Sequence, residues 1–108
     1  MSAFVKILQP SGILDGIRGH ELRREINEAV NAGVDIVLID LKDIKFMDSS
    51  GLGTLVSAMK VVRIADRKLF LCSVNGQIKM LFELTKMDKI FETFVDQDEF
   101  KHQILAIQ

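Results

Sequence analysis

Apolar residues recur every three or four positions in three stretches of the chain, which is the spacing of a helix with one buried face. The stretches cover about residues 18–32, residues 52–65, and the region that starts near Asn75. Gly33 follows the first stretch and is a suitable residue to end a helix. The positions on the recurring faces are Leu22, Ile26, Ala29 and Val30, then Leu52, Leu55, Val56, Met59 and Val62, then Ile78, Leu81, Phe82 and Thr85.

Continuous apolar runs separate these predicted helices. Residues 35–41 read Asp-Ile-Val-Leu-Ile-Asp-Leu, and residues 68–73 repeat the pattern. Because neither run alternates between apolar and polar positions, both are expected to be strands buried on two faces, as in a parallel sheet.

The two ends of the chain predict shorter elements. Residues 3–8 and the pair Ile13-Leu14 indicate two short strands, with a turn at residues 10–12 between them. Residues 90–95 indicate a short edge strand, and residues 98–107 indicate a last helix. The expected apolar face of that helix consists of Phe100, Ile104 and Ile107.

Strands that alternate with helices indicate βαβ crossovers. The predicted fold is therefore one α/β domain over residues 1–108, with a four- or five-stranded mixed sheet and about four helices. The two N-terminal strands are expected to supply an antiparallel edge. The expected core contains Leu22, Ile26, Val37, Ile39, Leu55, Val56, Met59, Leu71, Leu81 and Phe82.

Charge and hydropathy exclude several classes of partner. The 108 residues include 14 basic and 15 acidic ones, for a net charge of -1, and no basic block stands out. Direct contact with nucleic acid is therefore not expected. The apolar runs are far shorter than the roughly 20 residues that span a bilayer, and the first residues do not resemble a secretory signal. We expect a cytoplasmic protein with no membrane contact.

Metal and cofactor chemistry also lack support in the sequence. Cys72 is the only cysteine and lies in an apolar run, so we expect a buried thiol without a disulfide. His20 and His102 are far apart, and neither has a second ligand at metal-binding spacing. No metal or other cofactor is predicted.

The segment between the first buried strand and the second helix is the first candidate for function. Residues 46–53 read Phe-Met-Asp-Ser-Ser-Gly-Leu-Gly, at the edge of the sheet where α/β proteins usually place their sites. One interpretation is that Asp48 or Ser49 is only an N-cap. However, Gly51 and Gly53 each cost helix stability. They either allow close approach by a ligand or another protein, or permit tight packing of the helix on a strand.

A phosphoryl group on a serine here would be tolerated by the fold. It would meet free backbone amides and the positive end of the helix dipole. It would also add about -1.5 to -2 charges beside Asp48, which is enough to change how this surface meets a partner. The segment is therefore suited to a switch based on local repulsion.

Residues 47–53, Met-Asp-Ser-Ser-Gly-Leu-Gly, resemble the signature of the STAS domain family, most closely its bacterial anti-sigma factor antagonist branch. Residues 12–15, Gly-Ile-Leu-Asp, are similar to a second element of that family. The predicted order of strands and helices agrees along nearly the whole chain.

This resemblance implies a function. In that branch, the serine after the signature aspartate, here Ser49, is phosphorylated by an anti-sigma factor that is itself a serine kinase. Phosphorylation ends the binding between the two proteins, and a serine phosphatase restores it. ATP and magnesium would belong to the kinase, and Ser50 is the second choice as phosphoacceptor. The partner-binding residues implied by the resemblance are Asp15, Asp48, Ser49, Ser50, Gly51, Leu52 and Gly53.

The chain departs from the family pattern in its first part. Only fourteen residues precede Asp15, and residues 16–20 make a glycine-rich segment where a loop is expected. These differences leave the shape of the partner surface open.

Other functions have less support. A serine hydrolase lacks its G-x-S-x-G elbow here, and a nucleotide-binding protein lacks its glycine-rich phosphate loop. The remaining alternative is a STAS domain that binds constitutively within a transport or stress-signalling complex.

Overall fold

A four-stranded parallel sheet forms the centre of the computed structural model, which describes residues 4–105. The strands are β1 (Val5–Leu8), β2 (Gly12–Leu14), β3 (Ile36–Asp40), β4 (Ile44–Met47), β5 (Lys68–Cys72) and β6 (Glu92–Phe94). The helices are α1 (Gly16–Asn31), α2 (Ser49–Ile64), α3 (Gly76–Leu84) and α4 (Gln97–Phe100), and a π-helical turn, Lys101–Leu105, follows α4. The predicted α/β domain with about four helices is confirmed.

The order of strands in the main sheet is β1-β3-β5-β6, and β2 and β4 form a separate two-stranded ribbon. Each recorded pairing between described strands is parallel. The expectation of an antiparallel N-terminal edge, and with it of a mixed sheet, is wrong. Gly12, at φ +83°, directs the chain alongside β4, where its amide donates to the Asp43 carbonyl at 3.0 Å. Consequently β1 and β2 enter different sheets. Strand β1 pairs with β3 and β2 pairs with β4, and in each case α1 lies between the two strands along the chain.

Helices α1, α2 and α3 pack on one face of the main sheet. This follows from the strand order, because β3, β5 and β6 are each added on the same side of the preceding strand through a right-handed crossover. The core prediction is confirmed for eight residues, which are buried: Leu22, Ile26, Val37, Ile39, Leu55, Met59, Leu71 and Phe82. The other two, Val56 and Leu81, are only partly buried and pack against the margin of this cluster.

The opposite face of the sheet is covered by α4. Phe100 is fully buried there against Leu38, Phe70 and Cys72, and Phe94 lies beside the same cluster. The last helix was predicted as one continuous element, but the structure has a short α-helix followed by the π-helical turn. Ile107, which was assigned to its apolar face, lies outside the described residues.

The ends of the other helices match the sequence closely. Gly33 has φ +90° just beyond α1, the left-handed conformation that suits a helix terminator. Asn75 caps α3, and its carboxamide oxygen accepts from the Ile78 amide at 2.9 Å. Within residues 4–105, no helix combines the length and the apolar character needed to cross a membrane.

Candidate functional site

Two adjacent strand-to-helix turns form the candidate site. Leu14 of β2 lies opposite Met47 of β4, and both side chains are fully buried. The next residue in each strand is an aspartate that caps the following helix. Asp15 accepts from the Arg18 amide at 2.9 Å, and Asp48 accepts from the Gly51 amide at 2.8 Å. The N-termini of α1 and α2 therefore lie side by side, each with a carboxylate at its entrance.

The N-cap interpretation is thus correct for Asp48 but not for Ser49. Ser49 is the first residue of α2, and its side chain is exposed. Ser50 is also exposed, although its Cβ lies only 3.5 Å from the position that a Cβ on Gly16 would occupy. Ser50 therefore lies against the first turn of α1.

The two glycines of α2 have different roles. A Cβ on Gly51 would lie 2.0 Å from the Leu14 carbonyl oxygen, so only glycine lets α2 pack this closely on β2. Gly53 is exposed, and a Cβ there would meet nothing within 4 Å. Tight packing is the correct interpretation for Gly51, and the close-approach interpretation stays a prediction for Gly53 alone.

Two residues of the expected partner surface are inside the domain. Gly51 is buried against β2, and Leu52 is 4% exposed within the main core. Their assignment to the contact surface is wrong, because a partner cannot reach either without moving α2. Asp15 and Asp48 are partly buried, whereas Ser49, Ser50 and Gly53 are exposed.

The glycine-rich segment at residues 16–20 is the start of α1, not a loop. Gly19 is buried against α2, where a Cβ would lie 2.0 Å from the Thr54 hydroxyl oxygen. That hydroxyl donates to the Gly51 carbonyl at 2.8 Å. The glycines therefore bring the first turns of the two helices into contact, which adds a second positive helix end near Ser49.

Three exposed apolar side chains near this site were missed by the sequence reasoning. Ile13 and Phe46 are cross-strand partners on β2 and β4, and they are 54% and 47% exposed. Ile17, in the first turn of α1, is 76% exposed. We call Ile13, Ile17 and Phe46 the apolar patch. The sequence could have indicated two of them. Ile13 directly precedes Leu14 and Phe46 directly precedes Met47, and neighbouring residues of a strand point to opposite faces, so burial of Leu14 and Met47 places Ile13 and Phe46 on the outer face of the ribbon.

The described part of the chain contains no set of side chains suited to bind a metal ion. No group of three or more His, Cys, Asp or Glu side chains lies close enough together there to hold an ion. Cys72 is buried as expected, and burial raises the pKa of its thiol from the ordinary value of 9.0 to about 11, with a further contribution from Asp40.

Comparison with known proteins identifies the family. The model of the STAS domain matches residues 3–100. The chain belongs to the STAS domain family. An anti-sigma F factor antagonist of Paenibacillus polymyxa is 29% identical to this STAS domain over 91 residues, covering 83% of this chain and 78% of the relative. An anti-sigma-B factor antagonist of Staphylococcus aureus is 31% identical over 74 residues, 68% of each chain.

Solved structures share the fold of this STAS domain. The anti-sigma factor antagonist SpoIIAA in its unphosphorylated form has a TM-score of 0.79 at 16% identity, covering 100% of this chain and 95% of the other. The Bacillus cell fate determinant SpoIIAA in the phosphorylated form has a TM-score of 0.71 at 16% identity, covering 95% and 94%. At this identity the likeness shows the fold alone.

Proposed function

We propose that this STAS domain is an anti-sigma factor antagonist that works by partner switching in the cytoplasm. The unphosphorylated protein binds an anti-sigma factor that is a serine kinase. Transfer of phosphate from ATP to Ser49 ends the binding, and a serine phosphatase restores it. The domain itself is a binding protein and not an enzyme. The proposal is supported by the names of the curated relatives, among them an anti-sigma F factor antagonist and an anti-sigma-B factor antagonist.

The observation that carries the proposal is the position of Ser49. Its side chain is exposed at the first residue of α2, directly after the cap Asp48. A kinase can reach a hydroxyl in this position without unfolding the helix. By contrast, Met47 before the turn and Leu52 after it are buried, so the core holds the turn in place on both sides of Ser49.

The fold can hold the phosphorylated state. The first turn of a helix leaves backbone N–H groups without helical acceptors. Asp48 takes the amide of Gly51, which leaves those of Ser49 and Ser50 available to the phosphate oxygens. These amides and the positive ends of α1 and α2 stabilise a dianion at this place. Phosphorylation therefore changes the surface and leaves the domain folded.

The same phosphate would disturb binding for two reasons. It adds about -1.5 to -2 charges beside Asp48 and near Asp15, so any acidic group of the partner is repelled. It would also stand three residues after Phe46 of the apolar patch, so a partner that buries Ile13 and Phe46 would have to remove water from a dianion. Removing water from a charge without pairing it costs several kcal/mol, roughly the amount that burial of two apolar side chains contributes.

The contact surface of the unphosphorylated protein then consists of exposed or partly exposed groups around the two helix N-termini. Its polar part is formed by Asp15, Asp48, Ser49, Ser50 and the open backbone at Gly53. Its apolar part is the patch of Ile13, Ile17 and Phe46. Gly51 and Leu52 support this surface from inside.

The test is co-purification from the native host with wild type, Ser49→Ala and Ser49→Asp. Wild type and Ser49→Ala are expected to retain the same anti-sigma factor, since the alanine keeps the unphosphorylated surface. Ser49→Asp is expected to lose most of it. Ser57→Asp is the matched control, because it makes the same substitution on the same helix, two turns beyond Ser49 and outside the proposed contact surface, and it should retain the anti-sigma factor as wild type does. Equal retention by wild type and Ser49→Asp would contradict the proposal.

A further inference from the structure

Among residues 4–105, the outer edge of β4 is bonded to side chains and not to another strand. On one side β4 pairs with β2. On the other side, the Asn75 carboxamide donates to the Ile44 carbonyl at 3.1 Å. The Gln77 carboxamide accepts from the Met47 amide at 2.9 Å and donates to the Met47 carbonyl at 2.8 Å. The start of α3 thus takes the place of a third strand.

Gln77 differs from Asn75 in what it does for its own helix. The carboxamide oxygen of Asn75 caps α3, so that residue is needed for the helix itself. Both polar atoms of Gln77 bond to β4, and its side chain has no such role in α3. A primary amide bonded to both backbone groups of one residue fixes that residue in position and in rotation about the strand.

The residue that Gln77 holds is the one that precedes the phosphoacceptor turn. The Met47 side chain is fully buried, and its carbonyl group belongs to the peptide that joins it to Asp48. The Asp48 carboxylate reaches the Gly51 amide only while that peptide keeps its orientation. Ser49, the next residue, is exposed at the first position of the helix that this cap begins.

We infer that Gln77 is a positioning residue for Ser49, acting through Met47 and Asp48, and that α3 is thereby coupled to the phosphoacceptor turn. The effect on phosphoryl transfer rests on the proposed function, whereas the effect on the turn does not. Removal of the carboxamide leaves the Met47 amide and carbonyl, which are partly buried, without their hydrogen-bond partner, and this favours opening or rotation of the turn.

The first experiment measures amide hydrogen exchange by NMR and needs no partner. In Gln77→Leu, which keeps the size of the side chain, the protection factor of the Met47 amide is expected to fall about tenfold or more, corresponding to the loss of one hydrogen bond. Protection at residues 48–51 is expected to fall with it. Met80→Ala, an exposed position on the same helix, is the control and should leave these amides unchanged. Unchanged Met47 protection in Gln77→Leu overturns the inference.

A second variant separates positioning from simple packing. Gln77→Glu has nearly the same shape, but its carboxylate at neutral pH cannot donate to the Met47 carbonyl and repels that oxygen, which is expected to break the contact with β4 even though a carboxylate could still accept from the Met47 amide. Once protonated, the same group can accept from the Met47 amide and donate to the carbonyl. Protection of Met47 is therefore expected to be low at pH 7 and to recover on acidification as the introduced carboxyl is protonated, at or above the ordinary glutamate pKa of about 4.3, because partial burial and the neighbouring carbonyl oxygen raise that pKa. A packing role alone predicts no such recovery, and its absence overturns the inference.

The third experiment measures phosphate incorporation into Ser49 by the co-purified host kinase with ATP, at a temperature where circular dichroism shows each variant folded. Gln77→Leu is expected to lower kcat at least tenfold and to change KM by less than threefold, while Met80→Ala behaves as wild type. If wild type is phosphorylated and Gln77→Leu reacts equally fast, the positioning role is wrong. If wild type is not phosphorylated, the proposed function fails, and the exchange experiments still decide whether Gln77 holds the turn.

Discussion

Replacing Gly51 with alanine tests the structural basis of the candidate site. The added Cβ would lie 2.0 Å from the carbonyl oxygen of Leu14 and 2.7 Å from its carbonyl carbon. Ordinary contacts begin at 3.4 Å, so the oxygen is about 1.4 Å too close. Both atoms belong to the backbone of β2, which pairs with β4 and cannot rotate away as a side chain would. Helix α2 must therefore move off the ribbon.

The cost of this movement can be worked out from two opposing effects. Overpacking of a rigid interior typically costs about 1–3 kcal/mol and occasionally more. Alanine returns about 0.5–1 kcal/mol of helix propensity. Because the clash is with backbone atoms, we expect the upper part of that range, for a net loss of about 2 kcal/mol in the free energy of unfolding. For a domain of this size, that lowers Tm by on the order of 10 °C.

Gly53→Ala is the matched control. It lies in the same turn of α2 but is exposed, with nothing within 4 Å of the added methyl group. This variant should gain about 0.5–1 kcal/mol from helix propensity alone. The same methyl group projects into the proposed contact surface, so Gly53→Ala should retain less anti-sigma factor than wild type even though it is more stable.

Urea denaturation followed by circular dichroism measures both stabilities. The expected result is a separation of about 3 kcal/mol between Gly51→Ala and Gly53→Ala, with m-values that stay equal within error. Equal stability of the two variants would refute the reasoning, because it would mean that α2 does not rest on the Leu14 carbonyl. In that case Gly51 would be available for close approach after all.

Two further predictions concern the apolar patch and the buried thiol. Phe46→Ser should weaken retention of the anti-sigma factor at least tenfold with little change in stability. The control is Ile64→Ser, at a residue that is 86% exposed at the end of α2, and it should leave retention unchanged. Equal effects of the two variants would contradict a role of the apolar patch in partner binding. Burial raises the pKa of the Cys72 thiol in the folded state from 9.0 to about 11. Between these two pH values the folded protein keeps the thiol proton and the unfolded protein loses it. The free energy of unfolding should therefore fall as pH rises from 9 to 11. Cys72→Val should show a smaller fall over that range in urea titrations; an identical fall would show that the thiol is not responsible.

The parts of the fold that sequence predicted are those governed by local patterns. The three long helices, the two buried strands β3 and β5, and the terminator Gly33 follow from spacing and from residue type within a few positions. The apolar run before Asn75 and the polar residue itself were enough to place the start of α3. These features need no knowledge of what packs against them.

The parts that sequence missed depend on contacts between distant segments. Along strand β4 the residues are buried, exposed, exposed and buried in turn. This departs from the two-residue period of a strand, because a bulge opposite Gly12 shifts the register between β4 and β2. The direction of β2 depends on its bond to residue 43, not on the turn before it. Likewise, the two glycines of α2 look alike in sequence, and only the Leu14 carbonyl distinguishes Gly51 from Gly53.

The most direct test of the central claim is the location of phosphate after incubation of the wild-type protein with ATP and the host kinase that co-purifies with it. Peptide mass spectrometry should find one phosphoryl group, on Ser49, in wild type and in Ser50→Ala, and none in Ser49→Ala. Phosphate on Ser50 alone, or none on a protein that nevertheless binds and releases its partner, would contradict the account.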